Sequence, residues 1–294
     1  MKRHAPNGLD MAEKVVIVTG GATGIGEAIS KLFAIYGAKV VVNGLPGDPV
    51  EEVVQEINMA GGIATACVAD CATGEGANGL VQTALAAYQR LDVLICNAGL
   101  FPEEAELQDF PLERYEELMH SNVDGVYLPC RLALPELQKT KGCIITMGSE
   151  AALIGNPKFV SYSATKGWVV AFTRALAAEQ AKYGVRANVI APGPIDTEMT
   201  RPTKGSMSTA TAMMSVKSVP FGRRGTPEEV ANLALFLSSA MASYMTGGIY
   251  TVDGGQTAST GVPGIEAQPD VKQEPEGEIA LQHQHEGRGT LDPS

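Results

Sequence analysis

The chain has 294 residues, enough to bury one large core or two small ones, and its 45% hydrophobic and 19% charged composition is that of a globular protein. Lys and Arg total 22 against 33 Asp and Glu, and the resulting net charge of −11 argues against a nucleic-acid partner, since it repels phosphate backbones. No stretch approaches the run of about 18 apolar residues that a membrane span needs, and the basic start MKRHAPNGLD has no apolar run behind it, so neither a membrane nor a secretion signal is expected.

Residues 1–10 read as a loose N-terminal extension. The apolar run KVVIVTG (14–20) predicts a buried strand, and GEAISKLFAIYG (26–37) a helix after it. AKVVVNG (38–44) is again strand-like. DPVEEVVQEINMAG (48–61) is helical, with Pro49 where a first helical turn accepts it. GIATACVAD (62–70) and LDVLICNAG (91–99) predict strands on either side of a helical GANGLVQTALAAYQR (76–90). GCIITMGS (142–149), VRANVIAPG (185–193) and GGIYTVDGG (247–255) continue the series. Strands that are nearly all apolar, each followed by a helix, predict a parallel sheet covered on both faces. The expected fold class is α/β: one Rossmann-type, doubly wound parallel sheet of about seven strands, a single domain over 11–258. From 259 to 294 the composition shifts to Gly, Pro, Gln and Glu, which predicts a disordered acidic tail. His283 and His285 in that tail read as solvated side chains.

Five cysteines (Cys67, Cys71, Cys96, Cys130 and Cys143) include no C-x-x-C pair. They read as reduced, mostly buried thiols of a cytoplasmic protein, with no ligand cluster for a metal.

Two short stretches carry chemistry. TGGATGIG (19–26) joins the first predicted strand to the first helix. Its glycines allow a tight turn and a close backbone approach, and they leave free N–H groups at a helix N-terminus, where an anion is favoured. YSATK (162–166) places Tyr162 and Lys166 one helical turn apart on a shared face. By itself that pair reads more readily as an ordinary surface contact than as proton-transfer machinery.

Together and in order, T-G-x-x-x-G-I-G and Y-x-x-x-K resemble the classical short-chain dehydrogenase/reductase family, over about 245 residues. The resemblance implies a catalytic set of Asn122, Ser149, Tyr162 and Lys166. In the glycine-rich loop it implies cofactor contacts from Gly20, Thr23, Gly24, Ile25 and Gly26. Asp70 and Cys71, after the third strand, match the adenine-contacting position. Asn97, Ala98 and Gly99 match the N-A-G motif that ends the fourth strand, although Cys96 stands where a second asparagine is common. Pro192, Gly193, Ile195 and Thr197, in PGPIDT, match the segment flanking the nicotinamide, and Tyr162 and Lys166 also meet the cofactor. Substrate contacts are expected from Ser149, Glu150, Tyr162 and Met199, with Leu100, Phe101, Ala151, Leu153 and Asn156 at pocket-lining positions. Met207, Met213 and Met214 read either as an adaptable lid or as core packing.

The implied activity is hydride transfer between a nicotinamide cofactor and a carbonyl or secondary alcohol, with Tyr162 as general acid/base. A free tyrosine ionises near pH 10, and a nearby ammonium lowers that value. The alternative is a catalytically silent NAD(P)-binding sensor or scaffold; an epimerase or dehydratase fits less well. The cofactor is NAD or NADP. The usual acidic selector at the end of the second strand aligns with Gly44 and Leu45, no Arg or Lys replaces it, and Asn43 is within reach of a ribose hydroxyl, so the reading leans to NAD. The direction of Asp48 is unpredictable behind Pro46 and Gly47. The family likeness also implies a small-molecule substrate and a homotetramer or dimer, built through the helices carrying Asn122 and Tyr162.

Overall fold

Four consecutive β-branched residues, VVIV at Val15–Val18, form β1, and every one of them is buried. Such a run suits a strand covered on both faces. In the computed structural model, which describes residues 8–200 and 216–259, β1 lies at the centre of the sheet. The other strands are β2 (Lys39–Gly44), β3 (Ile63–Val68), β4 (Val93–Cys96), β5 (Cys143–Met147), β6 (Arg186–Pro192) and β7 (Ile249–Val252). Among the described residues they form one seven-stranded sheet in the order β3-β2-β1-β4-β5-β6-β7. Every pairing is parallel. The seven predicted strands are all present, each shorter than predicted because the flanking glycines and polar residues belong to the turns.

Alternation along β1 divides the core in two. Val16 and Val18 pack with Ile29, Leu32 and Phe33 on one face, while Val15 and Ile17 pack with Leu94, Leu137 and Ile144 on the other. The first face is covered by α1 (Gly24–Ile35), α2 (Val50–Met59) and, against α1, a helix near the C-terminal end of the domain. The second is covered by α3 (Gly74–Tyr88), α5 (Gly125–Thr140) and α6 (Val160–Gln180). Between α3 and α5 lies α4 (Leu112–Met119), which runs through a wide π-type turn, His120–Asp124, into α5. The helix packed on α1 is α7 (Pro227–Ser238), which opens on a capping box formed by Thr226 and Glu229.

The chain winds outward from β1 in one direction through β2 and β3, and in the other through β4 to β7. That reversal leaves a crevice at the carboxyl ends of β1 and β4, where sheets of this kind bind ligands. Met207, Met213, Met214, His283, His285 and nearly all of the predicted tail lie outside the described residues, as do residues 1–7.

Candidate active site

The crevice opens into a cavity of ≈ 880 Å³. Gly20, Thr23, Gly24 and Ile25 form its floor, carried on the turn from β1 into α1. The glycines are structurally required there. Gly20 and Gly24 have φ of 58° and 52°, the left-handed region. Gly26 lies beneath the loop, and a Cβ on it would stand 1.9 Å from the Gly20 carbonyl oxygen. The loop is tied to the neighbouring strands: Gly21 N–H donates to the Asn43 carbonyl, and the Asn97 amide donates to the Thr19 and Gly20 carbonyls. Thr19 Oγ1 in turn accepts from the N–H groups of Asn97 and Ala98. N-A-G is therefore a brace for the glycine-rich loop as well as a wall of the cavity.

Opposite the loop stand Ser149, Tyr162 and Lys166, with Asn97, Ala98 and Gly99 between. Ser149 follows β5 and caps a short 3-10 turn, its Oγ accepting from Ala151 N–H at 3.1 Å. The same Oγ donates to Glu150 Oε2 at 2.6 Å. Tyr162 and Lys166 come from the first turns of α6, and the lysine ammonium stands 5.7 Å from the tyrosine ring centroid. Phe101 packs edge-on against Tyr162, with ring centroids 4.9 Å apart. Lys166 is buried and donates to the Met147 carbonyl at 3.0 Å.

Asn122 does not line the cavity. It sits behind Gly99 in the π-type turn, fully buried, and clamps the strand-end segment: its Oδ1 accepts from Leu100 N–H at 2.7 Å and its amide donates to the Leu100 carbonyl at 3.0 Å. The amide also donates to Thr165 Oγ1 at 3.2 Å, a third bond, next to Lys166. Wide turns of this type recur at functional sites, where they re-aim one side chain.

Burial decides the electrostatics. Desolvation pushes the Lys166 pKa down to about 8. Desolvation, followed by the nearby Glu150 charge, pushes the Tyr162 phenol well above its ordinary value, and the Ser149 hydrogen bond only partly opposes them. This is the reverse of the lowering expected from Lys166. The ammonium is engaged by the Met147 carbonyl, so burial and a like-signed neighbour dominate. Glu150 is itself raised by burial, against its bond from Ser149.

Pro192, Gly193, Ile195, Thr197 and Met199 also line the cavity, as do Leu100, Phe101 and Asn156. Asp70, Cys71 and Asn43 do not form its walls. Asp70 accepts from His120 Nε2 at 3.0 Å and from Ala72 N–H at 2.9 Å, and Cys71 is buried with Sγ toward the Gly125 carbonyl. The Asn43 expectation meets a different environment: its side chain is buried and its amide donates to the Cys67 and Ala69 carbonyls, both at 2.9 Å, so it stitches β2 to the β3 end. Asp48 instead reaches the cavity, held by Leu45 N–H donating to Oδ2 at 2.7 Å. Arg224 and Gln256 also line it, from segments for which sequence reasoning offered no role. Nothing local in P-F-G-R-R-G signals that arrival; only the return of the chain past β6 brings it there.

A nicotinamide dinucleotide fits this arrangement. The floor of the cavity is a glycine-rich backbone turn held in place by the close approach of Gly26 beneath it, and another wall carries the hydroxyl, phenol and ammonium. The family model described as enoyl-(acyl carrier protein) reductase matches residues 20–257. The 3-oxoacyl-[acyl-carrier-protein] reductase of Chlamydia trachomatis is 35% identical, covering 83% of this chain and 98% of the relative. A solved 7α-hydroxysteroid dehydrogenase with NADH and a 7-oxo bile acid is 33% identical with a TM-score of 0.78, covering 84% of this chain and 95% of the other. A Beutenbergia cavernae chain proposed to be an NAD(P)-dependent gluconate 5-dehydrogenase, solved with NADP at low occupancy, is 37% identical with a TM-score of 0.79, covering 85% and 99%. The glycine-rich loop, the Ser149–Tyr162–Lys166 wall and these likenesses agree: this chain belongs to the classical short-chain dehydrogenase/reductase family, as an NAD(P)-dependent oxidoreductase of carbonyl and alcohol groups.

Proposed function

We propose that Tyr162 is the general acid/base of this oxidoreductase, that Ser149 holds the reacting oxygen, and that NAD is the preferred cofactor. The observation that carries the reading is the convergence of Ser149, Tyr162 and Lys166 on one wall of a cavity whose floor is the glycine-rich loop. The nicotinamide supplies hydride donation and acceptance when bound. The protein's part is a proton and a position. Tyr162 is neutral in this environment, so it gives its proton to the developing alkoxide during reduction and recovers one through its surroundings. Ser149 Oγ orients the carbonyl and stabilises the charge that develops on its oxygen. Lys166, adjacent to Tyr162, supplies the positive charge that a transient phenolate requires. Asn122 is a positioning residue: it locks Leu100 and Thr165 and so fixes the spacing between the N-A-G wall and α6.

The cofactor preference rests on Asp48. A Cβ at Gly44 would stand 2.9 Å from Asp48 Oδ2, so this carboxylate occupies the space beside the end of β2 and faces the cavity. A carboxylate there accepts from ribose hydroxyls and repels a second phosphate. A homo-oligomer is supported by the aromatic strip on α5 and α6. Trp168 stacks on Phe172 with centroids 4.7 Å apart, and Tyr127, 40% exposed, adjoins Phe172. Five free, buried thiols support a reducing, cytoplasmic setting.

The test is Tyr162→Phe assayed with a panel of ketones and alcohols. Turnover should fall by at least about 1,000-fold, while NADH still binds by nicotinamide fluorescence. Activity retained with any substrate would remove Tyr162 from the mechanism.

A further inference from the structure

The carboxylate beside Ser149 is not explained by hydride chemistry. Glu150 lines the cavity, and its recorded side-chain hydrogen bond comes from the very hydroxyl that must hold the substrate oxygen. Among the described residues no cation forms an ion pair with it, although a carboxylate partly withdrawn from water is helped by one. The charge of Asp253 raises its pKa, and its own charge in turn raises that of the Tyr162 phenol. A carboxylate kept in such a place reduces stability and hinders the base, and that is expected where it serves a ligand.

Proton counting specifies the ligand. A serine hydroxyl has one proton to donate. In the structure Ser149 Oγ accepts from Ala151 N–H and donates to Glu150 Oε2 at 2.6 Å. That proton is therefore engaged, and a carbonyl arriving at Ser149 has to compete with a carboxylate for it. Charge-assisted hydrogen bonds are about twice as strong as neutral ones, so a plain ketone is the weaker competitor. A substrate with a hydroxyl on the carbon next to the reacting one resolves the conflict. Its hydroxyl donates to Glu150 and replaces Ser149 there, and the Ser149 proton then turns to the carbonyl. The distance is compatible with both bonds at once: Glu150 Oε2 stands 2.6 Å from Ser149 Oγ, so a reacting oxygen within hydrogen-bond reach of Ser149, about 2.8 Å, has the carboxylate close enough to accept from a hydroxyl on the neighbouring carbon.

Resting on the dehydrogenase reading above, we propose that Glu150 is a specificity-determining residue that selects substrates carrying a free hydroxyl beside the reacting carbon, α-hydroxy ketones and their vicinal diols, and disfavours ketones without one. An anionic group at that position would be repelled by the same carboxylate. Leu100, Phe101 and Ile154 add apolar surface to the same cavity, alongside the polar Asn156.

The experiment compares 3-hydroxy-2-butanone with 2-butanone, which match in carbon skeleton and differ in the vicinal hydroxyl. Both are reduced with NADH and with NADPH by the full chain and by Glu150→Leu and Glu150→Ala. Circular dichroism and NADH titration accompany every protein. In the parent chain kcat/KM should favour the hydroxy ketone by at least about 100-fold, because a buried acceptor left unpaired penalises the analogue that lacks the donor. In either variant that ratio should fall at least about tenfold. Most of the fall should come from a higher KM for the hydroxy ketone. A general structural defect would lower both substrates together and leave the ratio alone. A ratio near one in the parent chain, or one that survives both substitutions, overturns the assignment of Glu150 while the dehydrogenase reading stands. Tight NADH binding with no turnover of either probe also overturns the proposed substrate class. Failure to bind either dinucleotide overturns the dehydrogenase reading itself.

Discussion

Replacing Gly26 by Ala puts one methyl group into the most crowded point of the site. Its Cβ would lie 1.9 Å from the Gly20 carbonyl oxygen, 2.5 Å from Asn97 Nδ2 and 2.8 Å from the Gly20 carbonyl carbon. Comfortable approach begins near 3.5 Å, so the loop and helix must separate by roughly 1.5 Å. Neither yielding atom is the end of a flexible chain: one is backbone, and the other is the amide that braces the loop. Overpacking of this severity costs about 3 kcal/mol, which for a domain of this size lowers Tm by about 10 °C. The separation also moves the loop N–H groups out of register with a bound diphosphate. Losing two charge-assisted hydrogen bonds costs about 3 kcal/mol, roughly 100-fold in the Kd for NADH. Thermal denaturation and a nicotinamide fluorescence titration measure the two effects separately. Gly79→Ala is the control, since nothing lies within 4 Å of its Cβ on α3, and it should stabilise by about 0.5–1 kcal/mol through helix propensity. A Gly26→Ala protein with unchanged Tm and unchanged NADH affinity would refute the claim that this glycine is a steric requirement of the cradle.

Lys166→Met should alter the pH dependence of stability. Burial holds Lys166 near 8 in the fold, below its ordinary value, so the unfolded chain binds more protons between pH 8 and about 10.5. The penalty for the buried ammonium is present in full below pH 8 and is relieved as pH rises through that window. It amounts to about 3 kcal/mol, and Tm measured from pH 7 to 10.5 should lose this rising component in the variant. Asp92→Asn should destabilise by about 2 kcal/mol at pH 7, measured by urea denaturation. Asp92 is buried at the start of β4, where it accepts from Val15 N–H, Lys14 and the Arg90 guanidinium, and the combined hydrogen bonds outweigh desolvation and lower its pKa. That stabilisation is full above the ordinary aspartate value near 4 and disappears as pH falls through the lower folded value, so parent and variant should converge in acid. Asp48→Ser should improve NADPH affinity relative to NADH about tenfold by titration; an unchanged ratio would remove Asp48 as the selector.

Much of this protein follows from local pattern. VVIV, VLIC and CIITM can only be strands buried on both faces, and the helices between them dictate parallel pairing. T-G-G-A-T-G-I-G declares a cradle through its steric needs, which a strand-to-helix context makes specific. Tyr162 and Lys166 share a face by helical spacing alone. What no local pattern contains is the environment of each group. Whether Lys166 lowers the Tyr162 pKa depended on its competing bond to the Met147 carbonyl and on the charge of Glu150, both set by long-range packing. Asn43, expected near a ribose hydroxyl, turns instead to two carbonyls at the β3 end, while Asp48, whose direction the sequence left open, is carried back to the cavity by the turn at Pro46 and Gly47. Arg224 and Gln256 reach the site only through the path of the chain after β6. Periodicity and steric need are local and survive in the one-dimensional chain. Desolvation, charge pairing and the direction of a side chain are properties of the assembled neighbourhood, and the tertiary structure alone decides them.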